Sequence, residues 1–552
     1  MRRSRVVWLS AGCAAVAGAV WLALPPMGSD LSAQVARADF FAAHGTALVD
    51  LRWYAGIHPL GYSLVTPPLM ATLGVRVTGV LALVAAATAF AALLVRTPAP
   101  RPLLGSLVGV LTITGNLVSG RVTYALGVAF GLAALLALTL PTHGPPGRRW
   151  VRPVLVGAGA LLASATSPVA GLFVGLAGAA LLLTRRYADG LLLGVAAALP
   201  LGVTGLLFGE GGWMNISRTD TLRAVLTSLL VAALVAYRPV RVGALLAAVG
   251  VLAAALVHTP VGLNATRLAV MFALPVLAAA ARPPRWLTAR LAAASRGRTR
   301  AGATGATAGT GAAATGVARR GRVAGGVALA VLLAAVCAWQ PPVVAADLRS
   351  VDDPTAARSY FAPLRAELAR RGLSGRVEVP PTRNYWEAAR LGELPLARGW
   401  LRQADIARNP LFFTTVPGAA GTGVPLTAAS YRAWLDEFAV QYVAVPDAPL
   451  SWVGRAEAEL VSAGLPYLTE VWSDGRWRLY AVADPTPILG APGEFVGQDG
   501  ASLTFRTSAA GTVPVRVWHT RWLTASGGAT VAADGDWTTV TVPHAGTYTL
   551  RG

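Results

Sequence analysis

The feature that most constrains this chain is a series of apolar segments in its first 340 residues. Each is about 14 to 22 residues long, near the length that an α-helix needs to cross a bilayer. Hydrophobic residues make up 54% of the 552 residues and charged residues only 13%, so polar groups cannot cover a water-facing surface. This pattern excludes a wholly soluble enzyme. It predicts a mainly α-helical polytopic membrane protein with about 11 spans.

Charge is arranged along the chain as membrane topology requires. The chain contains no lysine, and arginine gives it a formal net charge of +21 at pH 7. The arginines cluster in alternate loops, which agrees with the positive-inside rule. We therefore predict a multi-pass protein of the bacterial cytoplasmic (plasma) membrane, with its N-terminus inside and a C-terminal domain outside. A nucleic-acid partner is not expected, and Cys13 and Cys337, each within an apolar segment, predict no disulfide.

The composition changes sharply after Gln340, where acidic residues become frequent and apolar runs become short. The following region mixes a helical pattern, Thr355–Gly372, with strand-like runs such as VQYVAVP. From about Pro487, alternating residues between turn signals predict a small β-sandwich. The predicted units are a multispan transmembrane domain (1–281) with a first outer loop (25–75), a basic low-complexity cytoplasmic linker (282–322), a last transmembrane helix (323–340), an extracytoplasmic α/β domain (341–486) and an extracytoplasmic β-sandwich-like domain (487–552).

Acidic residues are scarce in the apolar segments and gather in the predicted outer loops. Ion-coupled carriers usually need ionisable groups near the midplane of the membrane, so this distribution counts against an ion-driven carrier. The first outer loop carries Asp30, Asp39 and Asp50. A carboxylate at the membrane surface can act as a general base or bind a metal. It can equally be an ordinary solvated side chain.

The order of motifs in the first outer loop resembles a known family. Asp30 precedes a helical pattern, Gly45 ends it, and Pro67-Pro68-Leu69 leads towards the next apolar segment. This order resembles the first periplasmic loop of polytopic GT-C glycosyltransferases, such as lipid A aminoarabinose transferases and protein mannosyltransferases. The stretch VDLRWYAGIHPLGYSLVTPPL is more closely similar to the WYGGxPxxY-like loop of actinobacterial-type multispan membrane proteins. The acidic pair of the family is reduced here to Asp30-Leu31.

The resemblance implies a GT-C-like fold and transfer of a sugar from a polyprenyl-phosphate donor on the outer face. On this interpretation Asp30 acts as the catalytic base or orients the acceptor hydroxyl. Asp39 or Asp50 assists it.

The phosphate of such a donor needs cations at the outer interface, and arginine suits phosphate because it binds in a bidentate manner. Five arginines in predicted outer segments depart from the positive-inside trend: Arg37, Arg52, Arg121, Arg218 and Arg267. The candidates among them are Arg121, Arg267 and Arg37. The ordinary alternative for each is snorkelling or pairing with a nearby aspartate.

Aromatic, acidic and arginine side chains are concentrated in NYWEAARLGELPLARGWLRQADIARNPLFF, residues 384–413. Aromatic faces can stack on sugars while charged groups bind hydroxyls. The candidates for acceptor binding are Trp386, Glu387, Arg398 and Trp400. Amphipathic helices with core tryptophans produce the same pattern, so a structural role is the alternative.

Evidence for a cofactor is weak. His44 and His58 flank Asp50, but they have no fixed ligand spacing. We assign no metal ligand, and the need for a divalent metal stays open.

We predict a membrane glycosyltransferase-like protein that moves a sugar from a lipid-linked donor to an envelope glycan or lipid, with membrane lipid as a further partner. Two alternatives stay open: a transporter or flippase of a lipid-linked envelope component, and a non-catalytic envelope assembly protein. Pro168 and Pro200 would suit the broken helices of a transporter, but repeated halves are not evident.

Overall fold

The computed structural model describes residues 3–141, 150–282, 310–419 and 423–552. Most of the predicted basic linker, residues 283–309, lies outside the described residues. A helical bundle is followed by two smaller units in the C-terminal part. One end of the bundle contacts residues 341–552, for example through the hydrogen bond between Ser119 and Asp347. We call it the domain end, and we call the opposite end of the bundle the far end.

The helices of the bundle follow the apolar segments. Among the described residues, five are long and apolar enough to cross a membrane: Arg3–Ala23, Val75–Arg96, Tyr187–Phe208, Arg238–Leu256 and Gly262–Ala280. Shorter apolar helices lie beside them, and the chain is a multi-pass membrane protein. The bundle and its first loop contain α1 (Arg3–Ala23), α2 (Leu31–His44), α3 (Thr66–Leu73), α4 (Val75–Arg96), α5 (Pro102–Val118), α6 (Val122–Ala137), α7 (Val151–Thr166), α8 (Pro168–Leu183), α9 (Tyr187–Phe208), α10 (Arg218–Leu234), α11 (Arg238–Leu256), α12 (Arg267–Ala280) and α13 (Thr310–Trp339).

The helices α7 and α8 form an antiparallel pair that turns at Ser167. Each helix has 16 residues. Ser167 Oγ caps α8 by accepting a hydrogen bond from Ala170 N at 3.4 Å, and Pro168 fits the first helical position because its missing N–H is not needed there. A Cβ on Gly171 would lie 2.4 Å from Ser164 Oγ. The pair therefore depends on small residues for its close packing, as membrane helices commonly do.

The first C-terminal unit is an α/β arrangement around one mixed sheet. Its sheet has the strand order β1-β2-β4-β3, in which β1 and β2 are parallel and the other pairs antiparallel. Tyr431, Trp434 and Val443 are among the side chains buried between the sheet and its helices. The elements are α14 (Ala345–Leu348), α15 (Arg358–Arg371), β1 (Arg376–Glu378), α16 (Glu387–Arg390), α17 (Arg402–Arg408), α18 (Ala428–Glu437), β2 (Val440–Pro446), α19 (Trp452–Ser462), β3 (Leu468–Ser473) and β4 (Trp477–Val482).

The second C-terminal unit consists of two sheets around a shared apolar core. Its strands are β5 (Glu494–Gln498), β6 (Ser502–Thr507), β7 (Gly511–Trp518), β8 (Thr524–Ala525), β9 (Thr530–Asp534), β10 (Trp537–Val542) and β11 (Gly546–Arg551). They form the sheets β5-β6-β11-β8 and β7-β10-β9. Val49 and Leu51 of the first outer loop enter this core, and Leu51 N donates to Gly500 O at 2.8 Å. The first outer loop is thus packed between the bundle and the C-terminal units.

Candidate functional site

One carboxylate of the first outer loop is shared by two arginines from distant parts of the chain. Asp30 Oδ2 accepts hydrogen bonds from Arg121 Nε at 3.1 Å and from Arg267 Nη2 at 3.3 Å. Their side chains are 12%, 23% and 14% exposed, respectively. Two guanidinium groups therefore face Asp30, and the charge of Asp347 also acts on Arg121. A surplus of one positive charge comes from Arg37, which interacts electrostatically with Asp30 in surroundings that screen charge poorly.

Close contact between two turns positions Asp30. Its backbone N–H donates to Ser119 O at 3.0 Å. Gly28 and Gly120 have φ angles of 103° and 77°, a region that side-chain-bearing residues rarely adopt. A Cβ on Gly120 would lie 2.5 Å from Leu31 N, and one on Gly28 would lie 2.4 Å from a backbone oxygen of the opposite turn. Both turns need glycine to approach each other this closely.

The charged group also lies where three helices begin. Asp30 directly precedes α2 and Arg121 directly precedes α6, whereas Arg267 begins α12 after a 3₁₀ turn over Gly262–Thr266. Backbone N–H groups at helix N-termini carry partial positive charge. They add to the guanidinium groups, so the site favours an anion such as a phosphate.

An apolar cavity of about 380 Å³ runs through the bundle from beside this site towards the far end. Tyr124 and Leu268 line it near the domain end, and Thr139 and Arg186 line it near the far end. The ring of Tyr124 lies 5.3 Å from the guanidinium carbon of Arg267. Its buried hydroxyl has no hydrogen-bond partner among the described residues. Tyr124 therefore joins the charged site to the apolar cavity.

Next to the charged group, Arg37 is surrounded by aromatic rings. Arg37 is 5% exposed, and its guanidinium carbon lies 3.7 Å from the ring centroid of Tyr62, 5.1 Å from Trp400 and 5.7 Å from Trp53. Burial lowers the pKa of Arg37, although a guanidinium stays charged in proteins. The Tyr62 and Trp400 rings meet edge to face at 6.0 Å. Arg37 is held by stacking rather than by a carboxylate.

The α/β unit bonds directly to the turn that carries Asp30. Asp347 Oδ1 accepts from Ser29 N at 3.1 Å, and Asp347 Oδ2 accepts from Ser119 Oγ at 2.6 Å. Trp400 Nε1 donates to Ser29 O at 3.2 Å. The C-terminal part of the chain therefore contributes to the geometry of the membrane site.

The other two candidate aspartates lie elsewhere. Asp50 accepts hydrogen bonds from Arg52 Nε at 2.9 Å and Arg52 Nη2 at 2.8 Å, and both residues are 2% exposed. Asp39 is an exposed residue of α2 whose charged neighbours include Arg358 and Arg390. The structure brings Arg121 and Arg267 to Asp30, but it does not bring Asp39 or Asp50 there.

Three of the four acceptor-binding candidates are core residues. Trp386, Glu387 and Arg398 are 1%, 3% and 3% exposed. Glu387 accepts a hydrogen bond from Thr382 Oγ1 at 2.5 Å, and burial raises its pKa to about 8. These side chains are packed inside the α/β unit, so they do not form a surface on which an acceptor could bind. Only Trp400 is partly exposed, and it borders Arg37.

The described residues contain no group of three or more His, Cys, Asp or Glu side chains that could hold a metal ion. His44 Nε2 lies 2.7 Å from Glu393 Oε2, whereas His58 Nδ1 lies 3.3 Å from Glu210 Oε1. The two histidines are held by different partners and do not meet around Asp50.

Sequence reasoning missed Tyr124, Tyr62 and Asp347. A signal for Tyr124 was available, because it follows Arg121 by three residues and shares its helix face. Tyr62 is part of the PxxY pattern in the first outer loop, which was used for the resemblance but not for a role. Asp347 has no local signal, because its contact depends on how the α/β unit packs on the bundle.

No protein-family model matches the chain, and no curated protein matches it. Among solved structures, the chain is similar to arabinofuranosyltransferase AftD from Mycobacteria with 16% identity and a TM-score of 0.46, over 91% of this chain and 40% of AftD. The chain thus spans less than half the length of AftD. It is also similar to apo ArnT from Cupriavidus metallidurans, with 13% identity, a TM-score of 0.45 and coverage of 87% and 98%. ArnT bound to undecaprenyl phosphate matches with 15% identity, a TM-score of 0.38 and coverage of 86% and 97%. These structural neighbours are GT-C glycosyltransferases, the class that the first outer loop resembles.

Proposed function

We propose that this protein transfers a sugar from a polyprenyl-phosphate donor to an acceptor at the domain end of the bundle. The observation that carries the proposal is the convergence of Arg121 and Arg267 on Asp30 beside a long apolar cavity. A lipid-linked sugar has a phosphate, an apolar tail and a polar ring. At the site, the arginines can bind the phosphate, the apolar cavity can take the tail, and the aromatic rings can contact the sugar.

The guanidinium groups bind the donor phosphate, and the tail enters the cavity past Tyr124. Arginine binds phosphate through paired N–H groups. Once Arg121 and Arg267 turn towards the phosphate, Asp30 loses its two partners and can accept a hydrogen bond from an acceptor hydroxyl.

The transfer itself needs one base and a stabilised leaving group. The acceptor oxygen attacks the anomeric carbon while the bond from that carbon to the phosphate oxygen breaks. The hydroxyl proton passes to Asp30, which acts as general base. The phosphate leaves with the bonding electrons, and the two arginines stabilise its charge.

The aromatic side of the site suits a sugar ring. Trp400 and Tyr62 are partly exposed and can present ring faces to a glycan. Arg37 is buried behind these rings and holds them in place through its stacking contacts. In this proposal the α/β unit contacts the acceptor through Trp400, while the bundle binds the donor.

The domain end faces the outside of a bacterial plasma membrane in this proposal. Arginines of the far-end loops, including Arg96, Arg152 and Arg186, support this orientation through the positive-inside rule. The acceptor is then an envelope glycan or lipid.

The test is transfer of radiolabelled sugar from synthetic polyprenyl-phosphate donors to extracted envelope acceptors, with purified full-length protein. We compare wild type, Asp30→Asn and the matched control Asp352→Asn, which changes an exposed aspartate of the C-terminal part. We expect Asp30→Asn to lower the transfer rate by about 10²–10⁴-fold, the usual contribution of a general base, and Asp352→Asn to retain it. Equal rates for all three proteins would overturn the role of Asp30. Absence of product from wild type with both pentose and hexose donors would favour the flippase or assembly alternatives.

A further inference from the structure

A second ionic group lies at the far end of the same cavity. Asp189 accepts hydrogen bonds from Arg152 Nη2 at 2.6 Å and from Arg186 Nη2 at 2.5 Å. The side chains of Asp189 and Arg152 are each 14% exposed and that of Arg186 is 39% exposed. Here too, two guanidinium groups share one carboxylate. One positive charge is again left without a partner in the group.

The cavity opens onto this group through Arg186. Arg186 lines the cavity together with Tyr237 and Thr139. The turn between α8 and α9 gives its two arginines different positions. Arg185 adopts a φ of 68°, a conformation that glycine usually takes at such a helix end, and its side chain is exposed. Arg186 N donates to Leu181 O at 2.8 Å, and its side chain lies at Asp189 and the cavity.

Aromatic residues place this mouth at the level of lipid headgroups. Trp150, Tyr187 and Tyr237 are 64%, 61% and 38% exposed at the far ends of their helices. Tryptophan and tyrosine concentrate at the interface between hydrocarbon and water. The surplus charge at Asp189 therefore lies where the phosphates of the adjacent leaflet are found.

We propose that the far-end mouth is a second lipid-phosphate site, distinct from the Asp30 site, which takes an anionic phospholipid from the adjacent leaflet. Arg186 and Arg152 bind its phosphate, and the cavity takes one of its acyl chains. The single surplus charge matches the single negative charge of a lipid phosphodiester. Beyond the mouth, the cavity is lined by apolar side chains such as Leu176, Val240 and Phe272. These side chains can contact an acyl chain but offer nothing to a small soluble anion. The acyl chain and the tail of the proposed donor would occupy the cavity in turn, so the two proposals share the cavity but have separate phosphate sites.

The headgroup part is tested by native mass spectrometry of the full-length protein, released from mixed micelles that contain phosphatidylglycerol or phosphatidylcholine. The variants are Arg186→Gln and the matched control Arg185→Gln, which removes the same charge from the same turn. We expect Arg186→Gln to lower phosphatidylglycerol retention by about fivefold or more and Arg185→Gln to change it less than about twofold. Equal losses in the two variants would show general surface attraction and overturn the site. Displacement of the lipid by excess inorganic phosphate would overturn the choice of a lipid.

The acyl-chain part is tested with a substitution that does not touch the charges. Ala244 lines the cavity, whereas Val249 on the same helix is 63% exposed on the outer surface of the bundle. We expect Ala244→Phe to lower phosphatidylglycerol retention and Val249→Phe to preserve it. Retention that survives Ala244→Phe would overturn the placement of the chain in the cavity. Because Arg267→Gln should abolish sugar transfer and leave phosphatidylglycerol retention intact, failure here is distinguishable from failure of the transferase proposal.

Discussion

Two buried ionic groups of this protein have opposite imbalances of charge. At the membrane site, one carboxylate, Asp30, faces two arginines. In the α/β unit one arginine, Arg398, lies at 2.9 Å from Asp405, 3.1 Å from Glu457 and 3.7 Å from Glu378. The second group is closed, because all of its side chains are 1% exposed or less.

The difference lies in how each surplus can be neutralised. Burial raises the pKa of Glu457 to about 7 and raises that of Glu378 as well, so protons on these two carboxyls can offset the two surplus negative charges around Arg398. A guanidinium does not release its proton under ordinary conditions. The positive charge that Asp30 and Asp347 do not offset is therefore available to an anion from outside the chain. An acid surplus can be part of a core, whereas an arginine surplus beside a cavity indicates a ligand.

The largest effect on stability is expected from Arg398→Met, which would break the closed group. Three buried carboxylates would lose the cation that they share, and uncompensated buried charge costs about 3–5 kcal/mol. We expect a marked fall in the apparent thermal unfolding midpoint of the detergent-solubilised protein. Arg267→Met at the membrane site should leave the midpoint nearly unchanged while donor binding is lost. Similar midpoints for the two variants would remove the distinction between the groups.

Glu387 tests whether protonation stabilises the α/β unit. Its pKa in the folded protein is raised to about 8 from 4.5, so the folded state holds the proton more tightly than the unfolded state. The stability that follows is present in full below pH 4.5 and is lost as the pH rises towards 8. Glu387→Gln cannot ionise. Between pH 5 and pH 8.5, we therefore expect its free energy of unfolding to fall by about 2–4 kcal/mol less than that of wild type. Thermal unfolding at both pH values measures it, and parallel curves for variant and wild type would contradict the protonated state.

Gly120→Ala tests whether the close contact of the two turns is needed at the Asp30 site. The added Cβ would lie 2.5 Å from Leu31 N at a φ of 77°, so the two turns must separate and Asp30 must move from its arginines. We expect a cost of about 1–3 kcal/mol and a fall of about tenfold or more in transfer rate. Gly175→Ala is the control, since a Cβ there has no atom within 4 Å. Full activity of the Gly120→Ala variant would show that the contact of the turns is dispensable.

The smallest effect is expected from Trp400→Phe. An aromatic ring is kept, although it is smaller than the indole, and the hydrogen bond from Nε1 to Ser29 O, worth about 1 kcal/mol, is lost. We expect KM for the acceptor to rise about two- to fivefold with little change in kcat. Trp452→Phe provides the control because Trp452 is 63% exposed. If the KM for the donor changed instead, Trp400 would contact the donor and not the acceptor.

The sequence predicted the helices well because length and hydropathy decide which segments enter a membrane. It also singled out Asp30, Arg121 and Arg267 because they are charges next to apolar segments, and because the predicted topology put the two arginines on the side where arginine is scarce. Their contact, across 91 and 237 positions, is tertiary and has no local signal.

The sequence did not separate the charges that meet at Asp30 from those held in pairs elsewhere in the fold. Asp50 is bound by Arg52 two residues away, a pairing that looks the same in a sequence as two free side chains. Trp386 and Arg398 are buried, yet dense aromatic and charged residues are equally typical of a binding surface. Burial is decided by how the sheet and helices pack, which the local pattern does not reveal.

The bonds between the Asp30 turn and Asp347 have a consequence for biogenesis. The turn at residues 28–30 is among the first parts of the chain to be synthesised, whereas Asp347 follows the whole bundle. Until it arrives, Ser29 N and Ser119 Oγ have no carboxylate to bind. The bundle can be inserted helix by helix, but the Asp30 site is completed only after the ribosome has passed the last membrane segment. A half-made copy in the membrane therefore lacks the contacts that fix the Asp30 turn.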